Sequence, residues 1–470
     1  MPAVSTFPAA CATSLRMNDR DSEQNRLSAR ALRYARVGVN AGSVAARVAA
    51  GRLFGRGGGM GGDAAALTAA LGGVKGPLLK VAQFASTIPD LLPPEYAEEL
   101  QKLQSQAPPM GWVFVKRRMQ AELGADWQSR FASFEPKPAA AASLGQVHRA
   151  VAHDGGQLAC KLQYPDMQSA VEADLSQLAL LFSLHRRLRP GIDTVEIAEE
   201  IGARIREELD YTREAAHARL YAEILGGEAL VRVPAVRPEL STRRLLTLHW
   251  LEGEPLLSFK GHSLAVRNLL ARAMFRAWWL PFSRYGVIHG DPHLGNYTVF
   301  SENGEPGGIN LLDYGCIRIF PPRFVGAVVD LYRGLLTGDE ARVVHAYETW
   351  GFKSLRKELI STLNIWARFI YRPMLDDRVR TIADGIKPSE YGRREAFQVH
   401  QALKRDGPVR IPREFVFMDR AAIGLGGVFL HLGAELNYFR MFNDAIENFE
   451  TAVVARRQAG ALARAGLADS

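Results

Sequence analysis

The stretch His289-Gly290-Asp291-Pro292-His293-Leu294-Gly295-Asn296, with Leu311-Leu312-Asp313-Tyr314-Gly315 downstream of it, decides the reading of this chain. An aspartate five residues before an asparagine, then an Asp-aromatic-Gly triplet bounded by apolar residues, has the order and spacing of a phosphoryl-transfer loop followed by a metal-binding loop. That chemistry asks little covalent work of a protein. It needs a loop over the phosphates, a lysine to hold them, an acid to orient the lysine, and oxygen ligands for Mg²⁺. Asp291 suits the orienting or deprotonation of an attacking hydroxyl or water, while Asn296 and Asp313 supply hard oxygens to Mg²⁺ bridging the phosphates of ATP. His289 and His293 flank Asp291, but an oxygen-rich Mg²⁺ site does not need imidazole, so both read as structural.

Upstream, Lys161 lies in Leu158-Ala159-Cys160-Lys161-Leu162, where the strand period of two sets Leu158, Cys160 and Leu162 on one face and Lys161 on the other, toward a cleft. This strand closes a hairpin pattern: residues 146–152, the turn His153-Asp154-Gly155-Gly156, then residues 158–163. The run Ala139-Ala140-Ala141-Ala142-Ser143-Leu144-Gly145-Gln146 reads as a loop joining a strand-like stretch to the hairpin, with side chains small enough for backbone N–H groups to approach phosphate. A long helical pattern over about residues 194–225 carries Glu207-Glu208-Leu209-Asp210-Tyr211-Thr212-Arg213-Glu214. Helical spacing puts Asp210 and Glu214 on one face, from which an acid can pair with Lys161. The alternative is a solvated acidic face answering Arg204, Arg206, Arg213 and Arg219.

The rest of the chain gives these motifs a setting. Gly57-Gly58-Gly59-Met60-Gly61-Gly62 is a flexible break, and Asp63 is an N-cap for an alanine-rich helix. Helical segments at residues 63–71, 77–87 and 94–106, the last closed by Pro108-Pro109, form an N-terminal helical extension. Another helical run lies near 112–123, helical again at 171–188, with strand-like stretches at 231–236 and 245–251. From residue 263 onward the pattern is helical apart from an irregular section at 287–319. A mixed small lobe followed by a helical large lobe predicts an α+β, two-lobed protein-kinase-like fold. The expected divisions are a basic, flexible region at 1–62, the extension at 63–125, an N-lobe at 126–257, a mostly helical C-lobe at 258–450 and a tail at 451–470.

Composition excludes several classes. With 47% hydrophobic and 23% charged residues over 470 positions, the chain is globular and long enough for a large core. The net charge of +8 comes from arginine spread along the chain, without the aromatic-and-basic pattern of a nucleic-acid groove. A mildly basic solvated surface accounts for it, and an anionic phospholipid or phosphorylated ligand suits it better than DNA. Cys11, Cys160 and Cys316 are odd in number and far apart, which suits neither a disulfide framework nor zinc and implies a reducing compartment. No stretch reaches the roughly 18 apolar residues of a spanning helix. Residues 1–15 lack the apolar core of a secretory signal, and Met17 is an alternative start. The acid-free, arginine-bearing residues 26–56 read either as an exposed N-terminal helix or as a segment lying on a membrane surface, so the expected location is cytoplasmic, with peripheral contact at the inner membrane face as the alternative.

Several motifs together resemble the UbiB/COQ8 family, also called the ABC1 or ADCK atypical kinases, over roughly residues 60–440. Ala140-Ala141-Ala142-Ser143-Leu144-Gly145-Gln146-Val147-His148 stands where ordinary kinases have glycines; Glu208-Leu209-Asp210 before Tyr211 and Arg213-Glu214-Ala215 resembles the family's E-x-D helix; Lys80-Val81-Ala82-Gln83 resembles its K-x-G-Q signature, with Ala82 in place of glycine. The resemblance implies that Lys161 and Glu214 form an ion pair, that Asp291, Asn296 and Asp313 are the catalytic and metal set, and that Ala140, Ala141, Ala142, Ser143 and Gly145 cover ATP. It implies too that Lys80 and Gln83 reach into the cleft beside Glu208 and Asp210, where the extension covers the place of a protein substrate. Pro321-Pro322 follows Gly315 too closely for a long activation loop. The expectation is an ATP- and Mg²⁺-dependent atypical kinase or ATPase supporting ubiquinone or other isoprenoid lipid biosynthesis, with isoprenoid lipid or quinone-pathway enzymes as partners and no nucleic acid. The rivals are a small-molecule phosphotransferase, which shares the His-Gly-Asp opening, and a non-catalytic nucleotide-binding scaffold.

Overall fold

The computed structural model describes residues 110–142, 144–173, 175, 202–203, 205–291, 293–383 and 413–468. Contacts divide the chain into two compact units, Met1–Leu103 with Pro165–Ala198, and Gln104–Tyr164 with Glu199–Ser470. In the first unit the described residues include a helical stretch at 167–173. Lys80, Gln83 and the remaining helices expected there lie outside the described residues, as does Ser143.

The second unit mixes helices with small sheets. In chain order it runs α1 (Trp112–Leu123), β1 (Ser133–Ala142), β2 (Gly145–Val151), β3 (Gln157–Gln163), α2 (Tyr211–Leu225), β4 (Val231–Arg232), β5 (Leu245–His249), β6 (Glu254–Pro255) and α3 (Leu264–Tyr285). It continues through β7 (Val287–His289), β8 (Tyr297–Glu302), β9 (Glu305–Leu311), β10 (Ile317–Ile319), α4 (Pro322–Thr337), α5 (Glu340–Trp350), α6 (Lys357–Tyr371), α7 (Arg413–Leu432), α8 (Tyr438–Ala445) and α9 (Thr451–Ala465). β1-β2-β3-β5 form one antiparallel sheet, β4-β9-β8-β6 a second, and β10-β7 a two-stranded ribbon.

The hairpin forms where the alternation placed it. β2 pairs with β3 from Gly145 opposite Gln163 to Val151 opposite Gln157. The turn closes with Gly155 N–H donating to Ala152 O at 3.0 Å and Asp154 Oδ1 accepting from Gly156 N–H at 2.9 Å. Leu158, Cys160 and Leu162 are fully buried, and burial pushes the Cys160 thiol up to about 12, which leaves it inert as a nucleophile. Lys161 takes the opposite face.

Elsewhere the structure departs from the periodicity. The alanine run is not a loop: Ala140, Ala141 and Ala142 belong to β1 and pair with Val147, Gln146 and Gly145. Alanine is a poor strand former, and here backbone pairing with β2 decides the matter. Gly145 is required by a close approach, since a Cβ there would meet Leu162 O at 2.3 Å. The helix expected through residue 225 breaks at Leu209–Asp210, and Asp210 caps a new helix, α2. The irregular section at 287–319 resolves into β7 to β10: β7 and β10 are three residues each, too short for alternation to register, and β8 and β9 do not alternate buried with exposed residues along their length. The stretch at 231–236 keeps only β4 and an isolated bridge from Val236 to Leu248.

The core centres on α3. Its residues Leu270, Ala271, Ala273, Met274, Phe275, Ala277, Trp278 and Phe282 are buried nearly all round, as an interior helix requires. Each such large side chain contributes about 1.5–3 kcal/mol relative to exposure. The segment expected as a tail is helix α9, which packs on α2, α3 and α4 through Val454, Ala461 and Ala465. Its buried side is made of small residues, so its sequence carries little hydrophobic signal. Among the described residues no helix is long and apolar enough to cross a membrane.

Candidate active site

Lys161 stands between two carboxylates. Its Nζ donates to Glu214 Oε1 at 2.6 Å and to Asp313 Oδ2 at 3.0 Å, joining β3, α2 and the Asp-Tyr-Gly triplet. Burial alone would strip the charge from the lysine; the Asp313 and Glu214 carboxylates outweigh it and hold Lys161 well above its usual value. The two acids respond differently. Burial pushes Glu214 up to about 7 despite Lys161, because the side chain is enclosed and a second carboxylate is near. For Asp313 burial acts in the same direction, but Lys161 and the Gly315 N–H, which donates to Oδ1 at 2.9 Å, win and hold it well below the usual carboxylate range. Asp313 is therefore the firmly ionised member, which a cation requires.

Glu214 reaches Lys161 because of where α2 begins. Asp210 takes an extended conformation and its carboxylate accepts from Thr212 N–H at 3.0 Å and Arg213 N–H at 3.2 Å, satisfying two of the donors a helix start leaves open. Asp210 thus acts at the cap, and of the two acids that share helical spacing only Glu214 meets the lysine. One turn further on, His217 Nδ1–H donates to Tyr314 O at 3.1 Å. Burial, then the Arg213 guanidinium, pull His217 down to about 4, so it stays neutral. One turn before, the Tyr211 ring lies beneath the Lys161 ammonium, 5.2 Å from Nζ to ring centre. Three successive turns of α2 therefore address Lys161 and the triplet. Glu207 bridges Arg213 at 3.1 Å and Arg318 at 3.2 Å, tying α2 to β10. Glu208 lies against the triplet, accepting from Cys316 Sγ–H at 3.6 Å.

The loop from β7 is cross-braced to the triplet. His289 Nε2–H donates to Asp313 O at 2.8 Å while its Nδ1 accepts from Asp291 N–H at 3.2 Å, so one imidazole fixes both aspartates' backbones and its own tautomer. Gly290 N–H donates to Cys316 O at 2.8 Å, and a Cβ on Gly290 would lie 2.6 Å from that oxygen. Leu312 N–H donates to Asn296 O at 3.0 Å. Asn296 Nδ2–H and Tyr297 O–H both donate to Asp291 O, at 3.3 and 3.2 Å, which leaves Asn296 Oδ1 as its available oxygen. His293 Nδ1 accepts from Gly295 N–H at 3.1 Å, a local turn contact. Both histidines thus make structural bonds.

Among the described residues no three His, Cys, Asp or Glu side chains converge into a ready-made metal cluster. The donors at hand, Asn296 Oδ1 and the ionised Asp313, fit Mg²⁺, which takes one or two protein oxygens and completes its shell with phosphate and water. Ala140 and Ala141 are exposed on the β1–β2 arm and bring no side chain to the lysine.

Three participants escaped the sequence. His217 sits three residues after Glu214 on one helical face, the spacing that could have flagged it. Tyr211, three before, has the same signature. Gln146 is fully buried and clamps the backbone of Met110: Met110 N–H donates to Oε1 at 2.6 Å and Nε2 donates back to Met110 O at 3.3 Å. Gln146 Nε2 also bonds His148 Nε2 at 2.8 Å, and His148 Nδ1 bonds Glu135 O at 2.8 Å. No local pattern announces a partner this distant in sequence.

A sequence model of the ABC1 atypical kinase-like domain matches residues 102–347. The uncharacterized protein sll1770 of Synechocystis sp. is 30% identical over 372 residues, 77% of this chain and 60% of that protein. The mitochondrial atypical kinase COQ8B of Rattus norvegicus is 29% identical over 300 residues, 62% of this chain and 56% of the relative. The chain thus spans between half and two thirds of the curated relatives' length. Among solved structures, the Rv3197–erythromycin complex from Mycobacterium tuberculosis aligns with a TM-score of 0.58 at 27% identity, over 81% of this chain and 94% of that one.

Proposed function

The chain belongs to the ABC1 atypical kinase-like family, and from that membership we propose that it binds ATP with Mg²⁺ and cleaves the γ-phosphate, as a kinase of a small molecule or as an ATPase. The observation that carries this reading is Lys161 held at 2.6 Å from Glu214 and 3.0 Å from Asp313. Such a lysine is positioned and charged for phosphate, and such an aspartate is ionised for a cation. Asn296 and Asp313 would hold Mg²⁺, which when bound neutralises phosphate charge. Lys161 exchanges Asp313 for phosphate oxygens and keeps Glu214. Asp291 orients the attacking hydroxyl or water, its own backbone held by His289, Asn296 and Tyr297. Ala140, Ala141, Ala142, Ser143 and Gly145 cover the nucleotide.

The acceptor is small or is water. After Gly315 the chain makes the short strand β10 and enters α4 at Pro322, which leaves no room there for a long activation loop. By family likeness we further propose a two-lobed fold, a role for Lys80 and Gln83 in the family-specific function together with Glu208, and support of ubiquinone or another isoprenoid lipid, with peripheral membrane contact and quinone-pathway enzymes as partners. A second reading, a nucleotide-binding scaffold that does not turn ATP over, is favoured by one observation. Both carboxylate oxygens of Asp313 are engaged, Oδ2 by Lys161 and Oδ1 by Gly315 N–H.

Steady-state hydrolysis separates the two. Asp313→Asn is expected to lower Mg²⁺-dependent ATP turnover by about 100-fold or more. Equal turnover in wild type and variant sinks the catalytic reading, and retained Mg²⁺-ATP binding with no turnover in either selects the scaffold.

A further inference from the structure

Tyr211 carries a polar atom that the fold does not use. The residue is 1% exposed and its hydroxyl has no hydrogen-bond partner among the described residues. Leaving a buried hydroxyl unpaired costs about 1–3 kcal/mol. The apolar neighbours of the ring, Ala215, Leu246 and Leu248, would pack against phenylalanine as well. Packing therefore does not call for the oxygen.

Its position suggests what does. The hydroxyl lies at the start of β2, where a Cβ on Gly145 would be 3.0 Å from it, and the Lys161 ammonium is 5.2 Å from the centre of the same ring. The same side chain thus reaches the glycine that follows the alanine run with its hydroxyl and the lysine read as the phosphate holder with its ring. Burial, only partly opposed by Lys161, drives the phenol well above its usual value, so it is a donor at any working pH. At its Ala140–Ala142 end β1 is joined to β2 by backbone pairing with only small side chains, and the register break between Pro138 and Ala140 separates that end from the part of β1 anchored by Phe134 and by the His148 bond to Glu135 O, so a ligand can displace it at modest cost. The acceptors a nucleotide brings between Gly145 and a lysine are phosphate oxygens.

We propose that the Tyr211 hydroxyl donates a hydrogen bond to the phosphate chain of the bound nucleotide, a role that rests on the nucleotide reading above. Tyr211 is then a nucleotide-contact residue that discriminates phosphorylated from unphosphorylated ligand.

The test is calorimetric titration of Tyr211→Phe, wild type and Asp313→Asn with ATP, ADP and adenosine in Mg²⁺, with thermal unfolding of each nucleotide-free protein. Tyr211→Phe is expected to weaken ATP about 10-fold or more, to weaken ADP less or equally, to leave adenosine unchanged, and to melt no lower than wild type. Wild-type affinity for ATP in Tyr211→Phe overturns the proposal. So does an equal loss for adenosine and ATP with a lower melting temperature, since that marks a structural role. If wild type binds ATP in a way that Asp313→Asn disturbs while Tyr211→Phe does not, the proposal falls and the nucleotide reading stands. If wild type binds no nucleotide, both fall.

Discussion

The β1–β2 arm pairs by backbone alone across Ala140, Ala141 and Ala142, with its register broken on either side of Pro138 and its alanines mostly open to solvent. Between Val287 and Ile317, by contrast, side chains and close-set backbones brace the chain: His289 to Asp313, Gly290 to Cys316, Asn296 and Tyr297 to Asp291, Leu312 to Asn296. The two regions flank the same lysine. Over-determined geometry keeps charged groups where charge will develop, at no reorganisation cost. The alanine end of β1, held only by its ladder while Phe134 and the His148 bond to Glu135 O anchor the other end, can follow what binds beside it. Precision is concentrated below Lys161 and compliance above it.

The sharpest way to break that contrast is Gly290→Ala. Its methyl group would lie 2.6 Å from Cys316 O, so either the loop or β10 must move. A loss of about 2–4 kcal/mol is expected in urea unfolding. A midpoint equal to wild type would mean the bracing does not fix the loop.

A smaller effect, and one with a sign, comes from α2. Glu214 is pushed from 4.5 up to about 7, so the folded protein holds that proton more tightly, and the stability it gives is lost as pH rises toward 7. His217 is pulled from 6.5 down to about 4, so the unfolded chain takes that proton first, and its stability is lost as pH falls below 6.5. Between about pH 5 and 6.5 the two oppose each other. Relative to wild type, Glu214→Gln is expected to gain stability as pH rises and His217→Gln to lose it, each by at most about 1.4 kcal/mol per pH unit. Parallel profiles for the two variants would refute the assignment.

At the compliant end Ala141→Ser is expected to change unfolding free energy by no more than about 0.5 kcal/mol. A larger loss in thermal unfolding would show the arm to be packed after all.

Sequence and structure agree best where one residue's neighbours in the chain determine its setting. Alternation placed Lys161 opposite Leu158, Cys160 and Leu162; the spacing of Asp291, Asn296 and Asp313 marked segments that do meet; the helical run near 112–123 is α1. Agreement fails where a distant partner decides. The run of alanines is a strand because β2 lies beside it, and Asp210 interrupts a helix because Tyr211 N–H is drawn to Arg243 O at 3.1 Å. His217, Tyr211 and the Gln146 clamp on Met110 depend on residues far along the chain, and polar side chains on a helix or strand look alike until their partners are in place.

One contact has a consequence for how the molecule is made. Gln458 Nε2, on α9, donates to Tyr285 O at 2.7 Å and to Phe320 O at 2.8 Å, the backbone positions just before β7 and just after β10. A chain emerging from the ribosome can close the β7–β10 ribbon long before residue 458 exists, but it cannot pin both ends of that ribbon until then. The bracing of both ends of the ribbon, and with it of the two segments that bear Asp291 and Asp313, is therefore complete only after α9 has been translated.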